Sequence, residues 1–210
     1  MKIKYDKIFV IGFNKTATST FQWLFKENDL PTQHVSKWDV PNYTCFGDNG
    51  DKNDFKNLDK NYPNSLFILN VRPLSDWLIS RFKHGLREDS PNWAHPYNIE
   101  KCNKWLTDRE KHHSELLSHF KGCPEKLIII DTSKCGWQNY VADLIGLKKR
   151  EVKSRNIHKT SEENEEHINI LKLVDSFFDL NTDIKKDSIV LTDKDLEDEY
   201  LKNFTNNFGE

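Results

Sequence analysis

The chain is poor in three features that define whole classes of proteins: cysteine, long apolar runs and charge of one sign. It has four cysteines in 210 residues, and no two of them stand at C-x-x-C spacing, which disfavours a zinc site or a redox pair. No apolar run approaches the roughly 20 residues of a membrane span. The formal net charge is −2, so a large nucleic-acid-binding surface is not expected.

These absences favour a cytoplasmic protein whose thiols stay reduced. The first residues, MKIKYDK, lead into an apolar strand without the pattern of a signal peptide. We therefore expect no membrane partner, no nucleic-acid partner and no metal site. A small anionic ligand held by a local cluster of Lys and Arg remains compatible with the charge balance.

The length fits one domain that buries a substantial core. Hydrophobic residues make up 36% and charged residues 30%, which predicts an exposed periphery around that core. We expect a single domain over 1–210, with its core at about 6–160 and a helical C-terminal extension at 161–210. The extension contains an amphipathic pattern near 168–178, and its acidic end, 191–210, has the composition of a solvated tail.

Apolar, β-branched segments alternate with segments of helical spacing. The predicted strands are 7–13, 65–71 and 126–132, with a brief further strand within 32–38. The predicted helices are 17–27, 73–85, 97–120 as one helix or a pair, and 136–147. Segment 40–64 is rich in Asn, Asp, Gly and Lys and predicts a loop or a small helical excursion. The alternation predicts an α/β protein with a central parallel sheet between helical layers.

Ligands of such sheets bind beyond the carboxyl ends of the strands. Three strand ends carry polar residues: 12–19, the segment that starts at Arg72, and the segment that starts at Asp131. We expect these three segments to converge in space.

The first of them, in FVIGFNKTATSTFQWLF, has the pattern of a strand, a glycine turn and a helix. Backbone N–H groups at the start of such a helix bind anions, and the hydroxyl residues at 16 and 18–20 can add donors. It is not a Walker loop, G-x-x-x-x-G-K-[ST], because Ala17 and Thr18 occupy the second glycine and lysine positions and the lysine is Lys15. An ordinary strand–turn–helix with a threonine cap is the alternative.

The second segment, FILNVRPLSDWLISRFKHG, places Arg72 directly after a strand and Ser80 eight residues later on a helix. Together the two motifs resemble the PAPS-dependent sulfotransferases. That family has a lysine loop, typically P-K-[ST]-G-T-[TS], followed later by an arginine and a serine at this spacing. Here Asn14 replaces the proline and Ala17 the glycine; alanine fits that position if its backbone is helical. The segment 127–147 is also similar to bacterial members, and the resemblance covers about 6–160.

The resemblance implies a P-loop NTPase-like sheet topology, PAPS as sulfuryl donor, and roles for individual residues. Lys15 would neutralise charge on the leaving group, and the loop would grip the 5′-phosphosulfate, while Arg72 and Ser80 would hold the 3′-phosphate, joined by Arg155, Lys153 or Lys159. The implied donor-binding residues are Asn14, Lys15, Thr16, Ala17, Thr18, Ser19, Thr20, Arg72, Ser80 and Arg155.

An acceptor hydroxyl needs a general base, which the family supplies as His or a carboxylate. His34 is the first candidate and Asp39 the second, because both follow the short second strand. The histidines at 112, 113, 119 and 167 lie in polar helical sequence and are expected to be solvated.

The acceptor is expected to be a small molecule or a carbohydrate. Aromatic side chains suit sugar rings and flat phenols, and four are candidates for the pocket. They are Trp38, Trp93, Tyr97 and Trp105. Two other functions stay open: a kinase-like or NTPase enzyme, with Asp131 as the candidate magnesium ligand, and a catalytically silent nucleotide-binding module. The oligomeric state is open too.

Overall fold

The computed structural model describes residues 3–35, 37–48, 54–86, 94–148, 152 and 165–189. In these ranges the strands are β1 (Lys7–Val10), β2 (Thr32–His34), β3 (Cys45–Gly47), β4 (Ser65–Val71) and β5 (Leu127–Asp131). The α-helices are α1 (Thr18–Lys26), α2 (Phe55–Asn61), α3 (Leu74–Gly85), α4 (Ile99–Phe120), α5 (Trp137–Ile145) and α6 (Glu165–Leu180).

The strands form one parallel sheet in the order β2-β3-β1-β4-β5. Every residue of β4 is buried, as are the last three of β1. Continuous burial is what a parallel sheet covered on both faces requires, and it explains why these strands are mostly apolar in sequence. The predicted α/β class with a central parallel sheet is confirmed.

Helices cover the sheet on both faces, which gives three layers. Since successive strand residues point to opposite faces, Ile8 of β1 packs against α1 and α5, while its neighbour Phe9 packs on the side of α2 and α4. In β4, Ile68 and Phe67 divide in the same way. The layered arrangement expected from the sequence is therefore present.

Strand β3 lies within the segment for which the sequence predicts only a loop or a small helical excursion. The helical excursion exists as α2, but Cys45 and Phe46 are completely buried, and β3 pairs with both β1 and β2. Three residues are too few for a strand pattern to show in the sequence. The prediction for 40–64 therefore lacked one strand of the sheet.

The C-terminal helix α6 packs against α3 and α4 through its buried residues Ile170, Val174, Phe177 and Phe178. The amphipathic helix predicted near 168–178 is thus confirmed, and the tail predicted at 191–210 lies outside the described residues. Within the described ranges, none of the helices combines the length and the apolar character needed to cross a bilayer.

The order of the strands creates a crevice between β1 and β4. These strands are neighbours, but the chain leaves β1 towards β2 on one side of the sheet and leaves β4 towards β5 on the other. In an open parallel sheet, ligands bind at the carboxyl ends of two such strands, where the connections diverge. The turns that begin at Ile11 and at Arg72 border this crevice.

Candidate functional site

The turns after β1, β4 and β5 lie side by side at the carboxyl edge of the sheet. Arg72 Nη1 donates to the carbonyl of Lys15 at 3.4 Å. The backbone N–H of Thr132, which follows β5, donates to the carbonyl of Val71 at 2.9 Å. The expected convergence of the three strand ends is confirmed.

The turn between β1 and α1 contains two left-handed residues, Lys15 with φ 69° and Ala17 with φ 66°, separated by Thr16. Backbone in which positive and negative φ alternate directs successive N–H groups towards one side and makes concave anion sites. No described side chain caps the amino end of α1, which begins directly after this turn. The turn and the helix end together therefore offer N–H groups to an anion.

Ala17 is the N-cap of α1 and has left-handed backbone, with φ 66° and ψ 24°. The condition under which alanine would fit without strain, a helical backbone, is therefore not met. Glycine adopts left-handed backbone without a steric penalty. The structure thus explains why a loop of this shape favours glycine at the position where this chain has alanine.

Replacing Ala17 by glycine is expected to stabilise the protein by about 1 kcal/mol, because an L-residue pays roughly that much in left-handed backbone. Urea unfolding at equilibrium measures the change. The matched control is Ala142→Gly in α5, where the backbone is helical and the methyl group is buried, so the substitution should cost at least about 1 kcal/mol. A loss of stability in Ala17→Gly would contradict the left-handed conformation.

Asn70, the penultimate residue of β4, holds the turn in place. Its side chain is completely buried and accepts from the N–H of Gly12 at 2.8 Å. Its amide nitrogen donates to the carbonyl of Thr16 at 2.7 Å and to the Thr16 hydroxyl at 2.6 Å. A Cβ on Gly12 would stand 2.1 Å from the Asn70 carbonyl, so the close approach of the two strands requires glycine. Asn70 was not predicted as a site residue, although a polar residue in an otherwise mostly apolar strand can indicate a functional position.

Two of the side chains that the resemblance assigns to PAPS binding form hydrogen bonds within the protein instead. The Thr16 hydroxyl donates to the carbonyl of Phe13, and Thr16 is only 2% exposed. Asn14 accepts from Arg81 Nη1 at 2.7 Å through its side chain and from the Trp77 indole through its carbonyl. These two residues can offer a ligand their backbone N–H groups, while their side chains shape the loop.

The remaining hydroxyl residues of the loop lie at the start of α1. Thr18 is buried, whereas Ser19 and Thr20 are half-buried. The N–H of Thr20 is already donated to the carbonyl of Ala17 at 2.9 Å. The hydroxyl groups of Ser19 and Thr20 are therefore better placed to meet a ligand than that of Thr18.

Arg72 directly follows β4 and Ser80 lies on α3, as the sequence predicts. Arg72 forms an ion pair with Asp76 at 3.5 Å, and Asp76 and Ser80 are four residues apart on the helix. The Arg72 side chain is 30% exposed, so the pair with Asp76 is open to solvent and weak. A phosphate can replace this partner at small cost.

Two further arginines, Arg81 and Arg109, lie near Arg72. Arg81 and Arg109 are both buried, and burial, together with the charges of Arg81 and Arg72, lowers the pKa of Arg109 to about 9, although Asp131 opposes this. Asp131, the candidate magnesium ligand, is itself buried and accepts from the N–H and hydroxyl of Ser133.

Two of the histidines expected to be solvated are buried. His112 Nε2 donates to the carbonyl of Ile11 at 2.7 Å, and the ring packs edge-on against Phe13. His113 is 1% exposed, and burial lowers the pKa of its imidazole well below the usual value. The polar helix α4 therefore packs against the turn after β1, which its sequence did not indicate.

His34, the first candidate for the base, ends β2 at the carboxyl edge. Burial lowers the pKa of its imidazole; Asp48, 4.0 Å from Nδ1, acts in the opposite direction, and the charges of Lys26 and Lys15 lower it further. His34 Nε2 is buried and has no partner among the described residues. A neutral imidazole within the electrostatic range of Lys15 is a group that can take a proton.

Asp39, the second candidate, lies in the turn after β2, and its N–H donates to Gln33 Oε1 at 2.6 Å. Its carboxylate accepts from the Asn42 side chain at 2.9 Å, in an exposed turn. The same turn packs over Lys7, the first residue of β1, whose ammonium group donates to the carbonyl of Val40. The role of Asp39 as an alternative general base stays a prediction.

The candidate pocket aromatics differ in position. Trp105 is 5% exposed and packs in the core against Phe82, whereas Trp38 is half-buried and donates to the carbonyl of Gly47 at the end of β3. Trp93 lies outside the described residues, as do Arg155, Lys153 and Lys159. Trp38 thus stays near the site, and Trp105 contributes to packing.

Comparison with known proteins adds no relative. A scan against protein-family models finds no match for the chain, and a search of curated proteins finds none either.

Proposed function

We propose that the protein is a PAPS-dependent sulfotransferase with a P-loop NTPase-like topology. The observation that carries the proposal is the contact between Arg72 and the carbonyl of Lys15 at the crevice between β1 and β4. It joins two anion-binding elements that are 57 residues apart in sequence. Two linked anion sites of this kind suit a nucleotide with phosphates at both ends of its ribose.

The residues present fit such a donor. The turn with left-handed Lys15 and Ala17 and the uncapped amino end of α1 would receive the 5′-phosphosulfate. Arg72 would bind the 3′-phosphate in a charge-assisted, forked contact, and Ser80 of α3 would donate a further hydrogen bond. When bound, PAPS supplies the sulfuryl group and adenosine 3′,5′-bisphosphate as the leaving group.

In the chemical step the chain positions groups and stabilises charge. The ammonium group of Lys15 neutralises negative charge where the bond to the leaving group breaks. His34 takes the proton of the acceptor hydroxyl or amine, which a lowered imidazole pKa permits at neutral pH. The half-buried Trp38 offers an aromatic wall for a carbohydrate or another small acceptor.

The test is calorimetric titration with adenosine 3′,5′-bisphosphate, with ATP and magnesium as the comparison. Arg72→Ala is expected to weaken bisphosphate binding by about 10- to 100-fold, since a hydrogen bond to a charged group contributes roughly 1.5–3 kcal/mol. Lys104→Ala, an exposed change on α4, is the matched control and should leave the affinity unaltered.

The outcomes separate the alternatives. Tight binding of the bisphosphate that depends on Arg72 supports the proposal and directs the next step to an acceptor screen with PAPS. Preference for ATP and magnesium favours a kinase-like enzyme. Tight bisphosphate binding without transfer to any acceptor in a broad screen favours a silent binding module.

A further inference from the structure

Arg109, on the middle of α4, joins two parts of the chain that the proposed mechanism does not connect. Its side chain is 1% exposed, and its Nη2 donates to the carbonyl of Arg72 at 3.0 Å and to the carbonyl of Ile189. The guanidinium carbon lies 4.8 Å from the ring centre of Trp77, which holds it from the side of α3. One buried side chain thus fixes the main chain at Arg72 and a segment far along the sequence.

That segment, 186–189, follows α6 and returns to the amino end of α3. The N–H of Leu74 donates to the carbonyl of Ser188 at 3.0 Å, and the N–H of Ser75 donates to the carbonyl of Lys186 at 3.1 Å. The N-cap of α3 is Pro73, which has no side-chain donor or acceptor to satisfy these groups. The carbonyls of 186–189 therefore do the capping next to Arg72.

Burial of the Arg109 charge costs more free energy than a purely structural role would require. No carboxylate in the described part of the chain lies within ion-pair distance of it, and Arg72 and Arg81 contribute repulsion. A buried cation without an ion pair costs several kcal/mol, and an apolar side chain of similar volume would avoid that cost. An anion bound at Arg72 would lie close to Arg109 and offset the repulsion.

We propose that Arg109 is a positioning residue for the phosphate subsite at Arg72. It holds the backbone of Arg72 and fastens 186–189 against the amino end of α3, so a segment of the C-terminal extension forms part of the nucleotide site. The inference rests on the proposed function, since the subsite is the one assigned to the 3′-phosphate. Displacing a binding group by about 1 Å is enough to lose much of its effect, which is why a second residue is needed to hold it.

The experiment compares two nucleotides that differ only in the 3′-phosphate. The affinities for adenosine 3′,5′-bisphosphate and for adenosine 5′-monophosphate are measured by calorimetry on the full chain, and their ratio isolates the contribution of the subsite. Arg109→Met is expected to lower this ratio by about 10-fold or more, as the loss of a charge-assisted contact predicts. Affinity for the monophosphate, which the loop after β1 holds, should change less than about 2-fold.

Two further variants and a control sharpen the result. Arg109→Lys keeps a cation that can reach one carbonyl and should restore part of the ratio. Ile189→Ala loosens the fastened segment without touching Arg72 and should also lower the ratio. Leu116→Ala opens a cavity in the same helix, destabilises the protein, and should leave the ratio unchanged. If Arg109→Met does not fold, Arg109→Lys and Ile189→Ala in the full chain provide the same measurement.

Failure of the inference and failure of the proposed function give different results. A ratio near 1 in the unaltered protein means that no 3′-phosphate subsite exists, and it contradicts both the proposed function and the inference about Arg109. A large ratio that Arg109→Met and Ile189→Ala leave unchanged, or an equal loss of both nucleotides, overturns the positioning role alone. A selective loss of the bisphosphate supports it.

Discussion

Replacing Asn70 by alanine is expected to lower the free energy of unfolding by about 3 kcal/mol and to abolish binding of adenosine 3′,5′-bisphosphate. The substitution leaves the N–H of Gly12 and the carbonyl of Thr16 without their partner inside the protein. Each unsatisfied buried group costs about 1–3 kcal/mol. The loop that should receive the phosphosulfate also loses its attachment to β4. Urea unfolding and calorimetric titration measure the two effects.

Asn28 provides a matched control. It is also buried, and its side chain likewise bridges two backbone groups, donating to the carbonyl of Leu24 at 2.9 Å and accepting from the N–H of Lys148 at 3.0 Å. Asn28→Ala should therefore destabilise the protein to a similar extent while nucleotide affinity is retained. If Asn70→Ala binds the bisphosphate as tightly as the unaltered protein does, the loop after β1 is not the phosphate site.

The sheet could be predicted where its strands lie in runs of mostly apolar residues. The segments of β1, β4 and β5 lie in such runs, and the loops after them meet as the parallel arrangement requires. β3 could not be predicted, because Cys45–Gly47 is short and its neighbours are loop-forming residues. What makes it a strand is pairing with β1 and β2, and pairing between distant segments leaves no local pattern.

Some residues of the candidate site could likewise be predicted from the sequence, and others could not. Lys15 and Arg72 could be found because each directly follows a strand and carries a charge. Asn70 and Arg109 escaped because their roles depend on contacts 54 and 37 residues away. The conformation of Ala17 could not be decided from the sequence, because its backbone angle is set by the turn and the side chain gives no indication of it.

For helix α4, the prediction that its histidines are solvated is wrong for His112 and His113. Its sequence is rich in Lys, Glu and His, which indicates a solvated surface helix. In the structure Arg109, His112 and His113 face inwards, beneath the loop after β1 and beside Arg72. Polar residues on the buried side of a helix are not recognised from hydrophobic periodicity. Here Arg109 and His112 contact the backbone of Arg72 and Ile11 at the candidate site.

Replacing Lys15 by alanine is expected to reduce the transfer of sulfuryl groups from PAPS by at least 100-fold, which corresponds to about 3 kcal/mol of lost transition-state stabilisation. The effect should fall on the rate more than on the affinity for the bisphosphate, because the ammonium group acts where the bond to the leaving group breaks. Release of the bisphosphate from PAPS, with a panel of hydroxylated acceptors, measures the rate. Lys104→Ala is the control for the loss of a lysine elsewhere.

The left-handed backbone of Lys15 allows charge and conformation to be separated. Lys15→Ala keeps the strain of φ 69°, whereas Lys15→Gly relieves it and should raise the free energy of unfolding by about 1 kcal/mol. If the charge is what matters, both variants lose transfer equally although only one gains stability, and Lys15→Arg keeps part of the rate. Substantial transfer by Lys15→Gly would show instead that the shape of the turn, and no charge at this position, sustains the reaction.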